Sequence, residues 1–469
     1  MRGRVRALLV LAMVSTLAFC IGAVDAITVP ATARAEPAPP RDSFYDVPAD
    51  LAHLDPGAIV RTRSVQVKSL GLFHINADAW QIAYRTSGQH REPDMAVTTV
   101  MVPRGTKPTK LLSFQSAADA TLRVCNPSYQ LTKMAPAGVD LSTPAGPLLF
   151  DIAPDEVLFA ALGLREGWAV TMPDHGGIEN RFLTPHQPGY AVLDGIRAVE
   201  HFRPANVTRS SPVTMWGYSD GGIVSSWAAE EQPTYAPELT QIKGAAMGAV
   251  ERDLPASLKD VNGSLIGGFI PIGLGAIGKD SAQFARAIDK YLTPNGKARV
   301  DATHDHCLIQ NIMSNLWLDY RNDFLTAPLD TVLEDPVVRK AIRERGITGR
   351  APRMPLYVYN GVTDEISPIA GEDKLVHSYC AGGTSVVYRR EQFPPNPVPQ
   401  LNSPHVVVAV TGAAAAFNWV KDRMNGVPAQ AGCDTKTVPA TLLDPGALST
   451  LGGAFGTILS MIAGAPVKP

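Results

Sequence analysis

A chain of 469 residues with 45% hydrophobic and 18% charged residues has the make-up of a large globular protein and not of a disordered one. Its 42 Lys and Arg nearly balance its 44 Asp and Glu, so there is no basic excess to hold a nucleic-acid backbone, which excludes nucleic-acid binding. Forty glycines and 39 prolines point to a loop-rich fold.

The first segment reads as an export signal. Arg2, Arg4 and Arg6 precede an uncharged run over 7–24, and small-x-small sites follow at Val24-Asp25-Ala26 and Ala33-Arg34-Ala35. An uncleaved membrane anchor is the alternative. Ser15, Thr16, Cys20 and Gly22 interrupt the run, and a proline-rich start follows Ala35, so cleavage after Ala35 is expected. Bulky Phe19 argues against a lipid anchor on Cys20. The mature protein is expected to be secreted, with cell-wall association as one destination. Cys125, Cys307, Cys380 and Cys433 then remain. An even set of exported thiols reads as two disulfides, with three pairings open. None of these spacings is C-x-x-C. His304-Asp305-His306 beside Cys307 lacks a second compact ligand cluster, so no metal site is expected.

Downstream, Trp80 to Thr86 and Ala96 to Val102 are short β-branched and aromatic runs that read as strands, followed by Leu111 to Gln115. A helix is expected near Glu156 to Glu166, a strand over Trp168 to Pro173, and a helix near Tyr190 to Phe202 with Val192, Ile196 and Val199 at helical spacing. Strand Val213 to Trp216 then leads into Gly217. This alternation predicts an α/β fold with a mostly parallel sheet. It breaks over 250–345, where Ser281 to Leu292 and Pro336 to Arg345 read as helices and Ile266 to Gly278 as a glycine-rich stretch between turns. The alternation resumes at Pro355 to Asn360 and Thr384 to Arg389. The expected organisation is a signal over 1–35, a first α/β part over 36–249, a mainly helical cap over 250–345, a second α/β part over 346–435, and an apolar tail over 436–469.

Gly217-Tyr218-Ser219-Asp220-Gly221 is a G-x-S-x-G. A serine hydroxyl becomes a nucleophile when a sharp strand-to-helix turn exposes it beside a base, and glycines on either side let strand and helix pack closely. Here an apolar strand leads in and the helix-compatible run Ile223 to Glu230 leads out. The base should be a histidine that follows an acid in the chain. His304 and His306 lie in the helical insertion and His377 on a helix before Cys380; His405 follows Asn402-Ser403-Pro404 in a loop after the last strand signal. Asp364, in a turn just beyond strand Leu356 to Tyr359, is the preferred acid, with Glu365 as the alternative. One oxyanion donor is the main-chain N–H of Asp220, the residue after the nucleophile. The second belongs to the loop Ser116 to Asp119, though physics alone does not say which residue.

Several motifs occur in order: Tyr84-Arg-Thr-Ser, Ala96-Val-Thr-Thr, Ser113-Phe-Gln-Ser-Ala-Ala-Asp, Cys125-Asn-Pro-Ser-Tyr, Asp174-His-Gly, Leu193-Asp-Gly-Ile-Arg-Ala, Gly217-Tyr-Ser-Asp-Gly-Gly, Tyr235-Ala-Pro-Glu-Leu and Thr363-Asp-Glu-Ile-Ser-Pro. Over roughly residues 45 to 435 the chain thereby resembles the secretory lipase family of the Candida antarctica lipase A type, within the α/β-hydrolase superfamily. The resemblance implies an α/β-hydrolase fold with a helical cap (lid) between nucleophile and acid, and a triad of Ser219, Asp364 and His405. It implies that Asp119 supplies the second oxyanion N–H, and that disulfides join Cys125 to Cys307 and Cys380 to Cys433. Asp220 stands where the relatives commonly carry glycine, and the segment from about 250 to 300 matches only loosely.

The uncharged stretch Gly446 to Val467 carries Leu448, Leu451, Phe455, Ile458, Leu459 and Ile462. A packed segment, or the flap that the resemblance implies, is favoured over a membrane anchor, because its glycines make a poor spanning helix. The function expected is a secreted serine carboxylic-ester hydrolase, foremost a triacylglycerol lipase, working through an acyl-enzyme. A short-chain esterase, an acyltransferase or a serine peptidase on the same scaffold, and a catalytically silent surface-binding protein, are the alternatives. No metal or organic cofactor is called for. The partners expected are a lipid or small ester substrate and a transiently touched lipid interface, for a monomeric protein.

Overall fold

The strands, in chain order, are β1 (Ile59–Val65), β2 (Lys68–Ser69), β3 (Phe73–His74), β4 (Asp78–Ser87), β5 (Pro93–Val102), β6 (Leu111–Gln115), β7 (Ala169–Pro173), β8 (Val213–Tyr218), β9 (Ile242–Gly248), β10 (Leu356–Gly361), β11 (Val386–Glu391) and β12 (Cys433–Val438). They come from a computed structural model that describes residues 42–69, 73–132, 152–393 and 403–462, with 464, 465 and 467; the expected export signal lies outside the described residues. Apart from β2 and β3, all of them join one sheet in the order β1-β4-β5-β7-β6-β8-β9-β10-β11-β12. From β7 to β12 along that order the neighbours run parallel. At the other edge β1, β4 and β5 pair antiparallel.

The central strand β8 is buried along its whole length, as expected for a parallel strand covered on both faces. Its side chains alternate. Val213 and Met215 join the core beneath helices Gln187–His201 and Asp220–Tyr235. Trp216 and Tyr218 join the opposite core, with Phe114, Tyr359 and residues of helices Ala153–Arg165 and Pro404–Met424. This two-sided burial holds the ends of the parallel strands, and so the site, in one plane.

Between β9 and β10 the described elements are helical: Leu254–Asp260, Phe269–Asp280, Ala282–Asp289, Pro294–Ala302, Leu308–Ser314, Leu329–Glu334 and Pro336–Arg345, with one short 3-10 turn. Several starts are capped locally. The Ser281 hydroxyl accepts from the Phe284 N–H, Thr293 from Gly296, and Asp335 from Val337 and Val338. The stretch Ile266 to Gly278, read from sequence as glycine-rich and between turns, is largely the helix Phe269–Asp280. Its glycine content lowers intrinsic helicity, but close packing compensates: a Cβ on Gly275 would stand 2.4 Å from the Thr303 hydroxyl. The insertion touches the α/β part beside the turn that follows β10, where Ile366 packs with Val261, Ile270, Leu318 and Phe324.

Two disulfides, Cys125–Cys307 and Cys380–Cys433, are present, the pairing the resemblance implies. The first ties the segment after β6 to the insertion, and the second joins helix Ile369–Ala381 to β12. That edge strand crosses the expected boundary at 435/436. The tail forms helix Ala447–Ile462 against Pro404–Met424 and Ala153–Arg165. Thr450 donates to Asn418 Oδ1 at 2.6 Å, and Asn76 donates to the Gly464 carbonyl at 3.0 Å. No helix of the described residues is long and apolar enough to cross a membrane.

Candidate active site

Ser219 sits between β8 and helix Asp220–Tyr235 with φ +56° and ψ −122°, a conformation that costs a non-glycine residue about 1–3 kcal/mol and persists only where the surroundings enforce it. The enforcement is steric. A Cβ on Gly217 would stand 2.2 Å from the Gly221 carbonyl oxygen, and one on Gly221 only 2.0 Å from that of Gln115. The turn is therefore tighter than any side chain at those two positions allows. The Ser219 N–H continues the ladder by donating to Gly248 O at 2.9 Å. The serine stands half-buried at the helix N-terminus, where oriented N–H groups favour negative charge.

Asp364 lies just past the end of β10. Its Oδ1 accepts the N–H groups of Ile366 and Ser367 at 2.9 and 2.7 Å, which fixes the carboxylate, and its Oδ2 meets His405 Nδ1 at 2.8 Å. His405 is in the first turn of helix Pro404–Met424, not in a loop as its surroundings in sequence suggested. The Ser403 hydroxyl accepts from the Val406 N–H and Pro404 takes a first-turn position, so Ser-Pro starts a helix here. Glu365, the alternative acid, serves this helix start: it accepts from the Ser403 hydroxyl and, at 3.2 Å, from the His405 main-chain N–H. It is Asp364 that reaches the ring.

Burial by itself would push the His405 imidazole down, but the Asp364 charge and hydrogen bond, helped by Glu365, hold it above its ordinary value. The residue before Ser219 links the two halves of the site: the Tyr218 hydroxyl donates to the His405 carbonyl at 2.7 Å. Among the described residues no hydrogen bond joins the Ser219 hydroxyl to the His405 ring, a contact that in such sites commonly tightens with substrate bound.

Asp119 and Asp220 are both buried, Asp119 in the loop after β6 and Asp220 as the first residue of the helix after Ser219. The G-x-S-x-G motif assigns Asp220 a main-chain role only and misses its carboxylate, which accepts the Ala118 N–H at 3.1 Å. It also misses Glu156, whose Oε2 accepts the Ala117 N–H at 2.8 Å and the Ser116 hydroxyl at 2.6 Å. No local pattern separates Glu156 from a helix-surface acid such as its neighbour Asp155. In the insertion, His304 Nδ1 pairs with the Thr121 hydroxyl at 2.9 Å and the Cys307 sulfur is bonded to Cys125.

Two cavities border these elements. An open cleft of about 730 Å³ runs between the segment Thr121 to Arg123 and the insertion, lined in part by Lys279, Lys297 and His304. A small, apolar cavity of about 50 Å³ lies inside the insertion among Leu254, Leu258, Ile270, Leu274 and Phe324.

A family model described as secretory lipase matches residues 150–432. A protein of Mycobacterium tuberculosis named a probable inactive lipase is 33% identical over 393 residues, 83% of either chain. Lipase A of Arthroderma benhamiae is 31% identical over 95% of this chain and 92% of its own. A secreted triacylglycerol lipase, LIP2, of Malassezia globosa is 31% identical over 85% and 84%. Among solved structures, Candida antarctica lipase A in its closed state superposes with a TM-score of 0.74 at 23% identity, over 93% of this chain and all of that one.

Proposed function

The chain belongs to the secretory lipase family and has the α/β-hydrolase fold, and from that premise we propose that it is a secreted serine carboxylic-ester hydrolase that cleaves triacylglycerols through an acyl-enzyme. The observation that carries this reading is the buried His405–Asp364 pair at 2.8 Å, tied through Tyr218 to a serine held in a strained elbow. Ser219 Oγ attacks the ester carbonyl while His405 Nε2 takes its proton. The N–H groups of Asp119 and Asp220 bind the resulting oxyanion. The tetrahedral species expels the alcohol, which leaves with the proton from His405, and the acyl group stays on Ser219. Water then attacks the acyl carbon with His405 as base; the carboxylic acid departs and Ser219 regains its proton.

In this reading the helices between β9 and β10 act as a cap over the acid turn, with the division at 250–345 and a tail packed on the α/β part. Export, release from the cell or retention at its wall, a transiently touched lipid interface and a monomeric state belong to the same proposal. The relative named a probable inactive lipase keeps a silent binding protein as the second reading. Against it, this chain carries a serine at the elbow and a His405 paired with Asp364.

Hydrolysis of p-nitrophenyl esters from acetate to palmitate, with wild type beside Ser219→Ala, tests the proposal. Long-chain turnover that vanishes in the variant supports a lipase. Turnover confined to acetate and butyrate makes it a short-chain esterase. Turnover in neither protein, or equal turnover in both, sinks the serine-hydrolase reading.

A further inference from the structure

The loop that follows β6 leaves the sheet at Gln115, and from Ser116 on its backbone groups have no strand to pair with. Buried peptide groups without partners cost about 1–3 kcal/mol each, yet here three consecutive residues are engaged by ionisable side chains. The Ser116 carbonyl lies 2.9 Å from His175 Nε2. The Ala117 N–H donates to Glu156 Oε2 at 2.8 Å, and the Ser116 hydroxyl donates to the same oxygen at 2.6 Å. The Ala118 N–H donates to Asp220 Oδ2 at 3.1 Å, and that oxygen lies 3.5 Å from His175 Nε2. Glu156, His175 and Asp220 are all buried. They come from three different elements: helix Ala153–Arg165, the turn after β7 and the nucleophile helix.

Resting on the serine-hydrolase reading above, we propose that Asp220, Glu156 and His175 are positioning residues that clamp the Ser116–Asp119 loop in the shape the oxyanion site requires. Asp220 then acts twice, through its main-chain N–H toward the oxyanion and through its carboxylate toward the loop that brings the second donor. One residue thereby fixes the spacing between the two donors, because its carboxylate grips the loop one residue before Asp119. Rigid donors aimed at developing charge need no reorganisation during the reaction, which is why their placement appears in the rate.

Two carboxylates close to a developing oxyanion would oppose it if both were charged. Burial pushes Glu156 up to about 8, against its hydrogen bonds from Ser116 and Ala117, and raises Asp220 against the opposing influence of His175 and Ala118. At neutral pH Glu156 is therefore largely the neutral acid, which can accept both hydrogen bonds at its carbonyl oxygen without setting a full negative charge beside the site.

The test measures kcat and KM on p-nitrophenyl butyrate for Asp220→Ala, Asp220→Asn and Ser116→Ala beside wild type and Ser219→Ala, with thermal melting of each. Asp220→Ala removes the acceptor for Ala118 and should lower kcat about 30- to 300-fold with KM within about twofold, less than or similar to loss of a whole oxyanion donor. Asp220→Asn keeps a carbonyl oxygen there and should recover kcat to within about fivefold of wild type. Ser116→Ala removes one bond and no buried acid, so it should fold even if Asp220→Ala does not; a kcat loss of about 3- to 10-fold is expected. The clamp is overturned if folded Asp220→Ala or Ser116→Ala keeps wild-type kcat, if the loss falls in KM alone, or if Asp220→Asn is as slow as Asp220→Ala. Turnover surviving in Ser219→Ala would instead overturn the reading on which the clamp rests.

Discussion

Glycine serves different ends at the Ser219 elbow and in helix Phe269–Asp280 of the insertion. At the elbow, a Cβ on Gly217, Gly221 or Gly222 would come within 2.0–2.3 Å of a backbone carbonyl oxygen, and hydrogen-bonded backbone of a paired strand or a helix cannot step aside. In helix Phe269–Asp280, Gly275 abuts the Thr303 hydroxyl, but Gly278 has only the Ala285 Cβ at 3.5 Å, an ordinary contact. One region is defined by main chain against main chain, and its geometry has no slack. At Gly275 and Gly278 helix Phe269–Asp280 meets side chains and has room at the second, although elsewhere in the insertion main chain meets main chain, as where a Cβ on Gly296 would stand 2.3 Å from the Phe324 carbonyl oxygen.

The largest effect should come from the acid that orders the site. Asp364→Asn keeps the shape but leaves His405 without the carboxylate that holds its ring, and kcat at neutral pH should fall about 10³- to 10⁴-fold. The pH profile gives a second readout of this change. With the His405 pKa held above its ordinary 6.5, the neutral base is lost as pH falls, so the acid limb of kcat/KM should lie above pH 6.5. In the variant, burial without the Asp364 charge should move that limb downward.

Next in size is Gly221→Ala, whose methyl group would collide with the Gln115 carbonyl. It should destabilise the fold by about 3 kcal/mol or more by overpacking and abolish most activity, as read by melting and by turnover. The disulfides sharpen the same contrast. Cys125–Cys307 spans 182 residues and joins the insertion to the α/β part, whereas Cys380–Cys433 spans 53 within it. Replacing the first pair by serine should cost about 1 kcal/mol more than replacing the second, measured by denaturant unfolding. The smallest effect has the opposite sign. Gly278→Ala, with space for its methyl and a helical backbone, should stabilise by about 0.5–1 kcal/mol and leave turnover unchanged. Destabilisation there would mean that the insertion is as tightly determined as the elbow.

How much could be read in advance follows the same division. β4, β5 and the strand core of β8 were legible because short β-branched and aromatic runs bounded by glycine or proline allow few other structures. The helix Pro336–Arg345 was legible from its flanking Asp335 and Pro336, which cap and start it. β9 and β12 were not. Ile242–Gly248 has a centre of small residues, Gly244 to Ala246, that any structure accommodates, and Cys433–Val438 is a largely exposed edge strand without an apolar face. Helix Pro404–Met424 was missed because its long alanine-rich centre lacks a clear one-sided periodicity, so His405 was read as part of a loop.

Sequence by itself determined the chemistry on offer at this site: a serine between glycines, an aspartate after a strand, a histidine further on, and an even set of cysteines. These are properties of residue type and order, which local sterics and strand chemistry make readable. Only the tertiary structure decided which carboxylate reaches the His405 ring, Asp364 and not Glu365, and that Glu156 and Asp220 share one loop of backbone donors. Those pairings join residues up to 102 positions apart. They are set by how helices from separate parts of the chain pack on the two faces of the sheet, a property of no single segment.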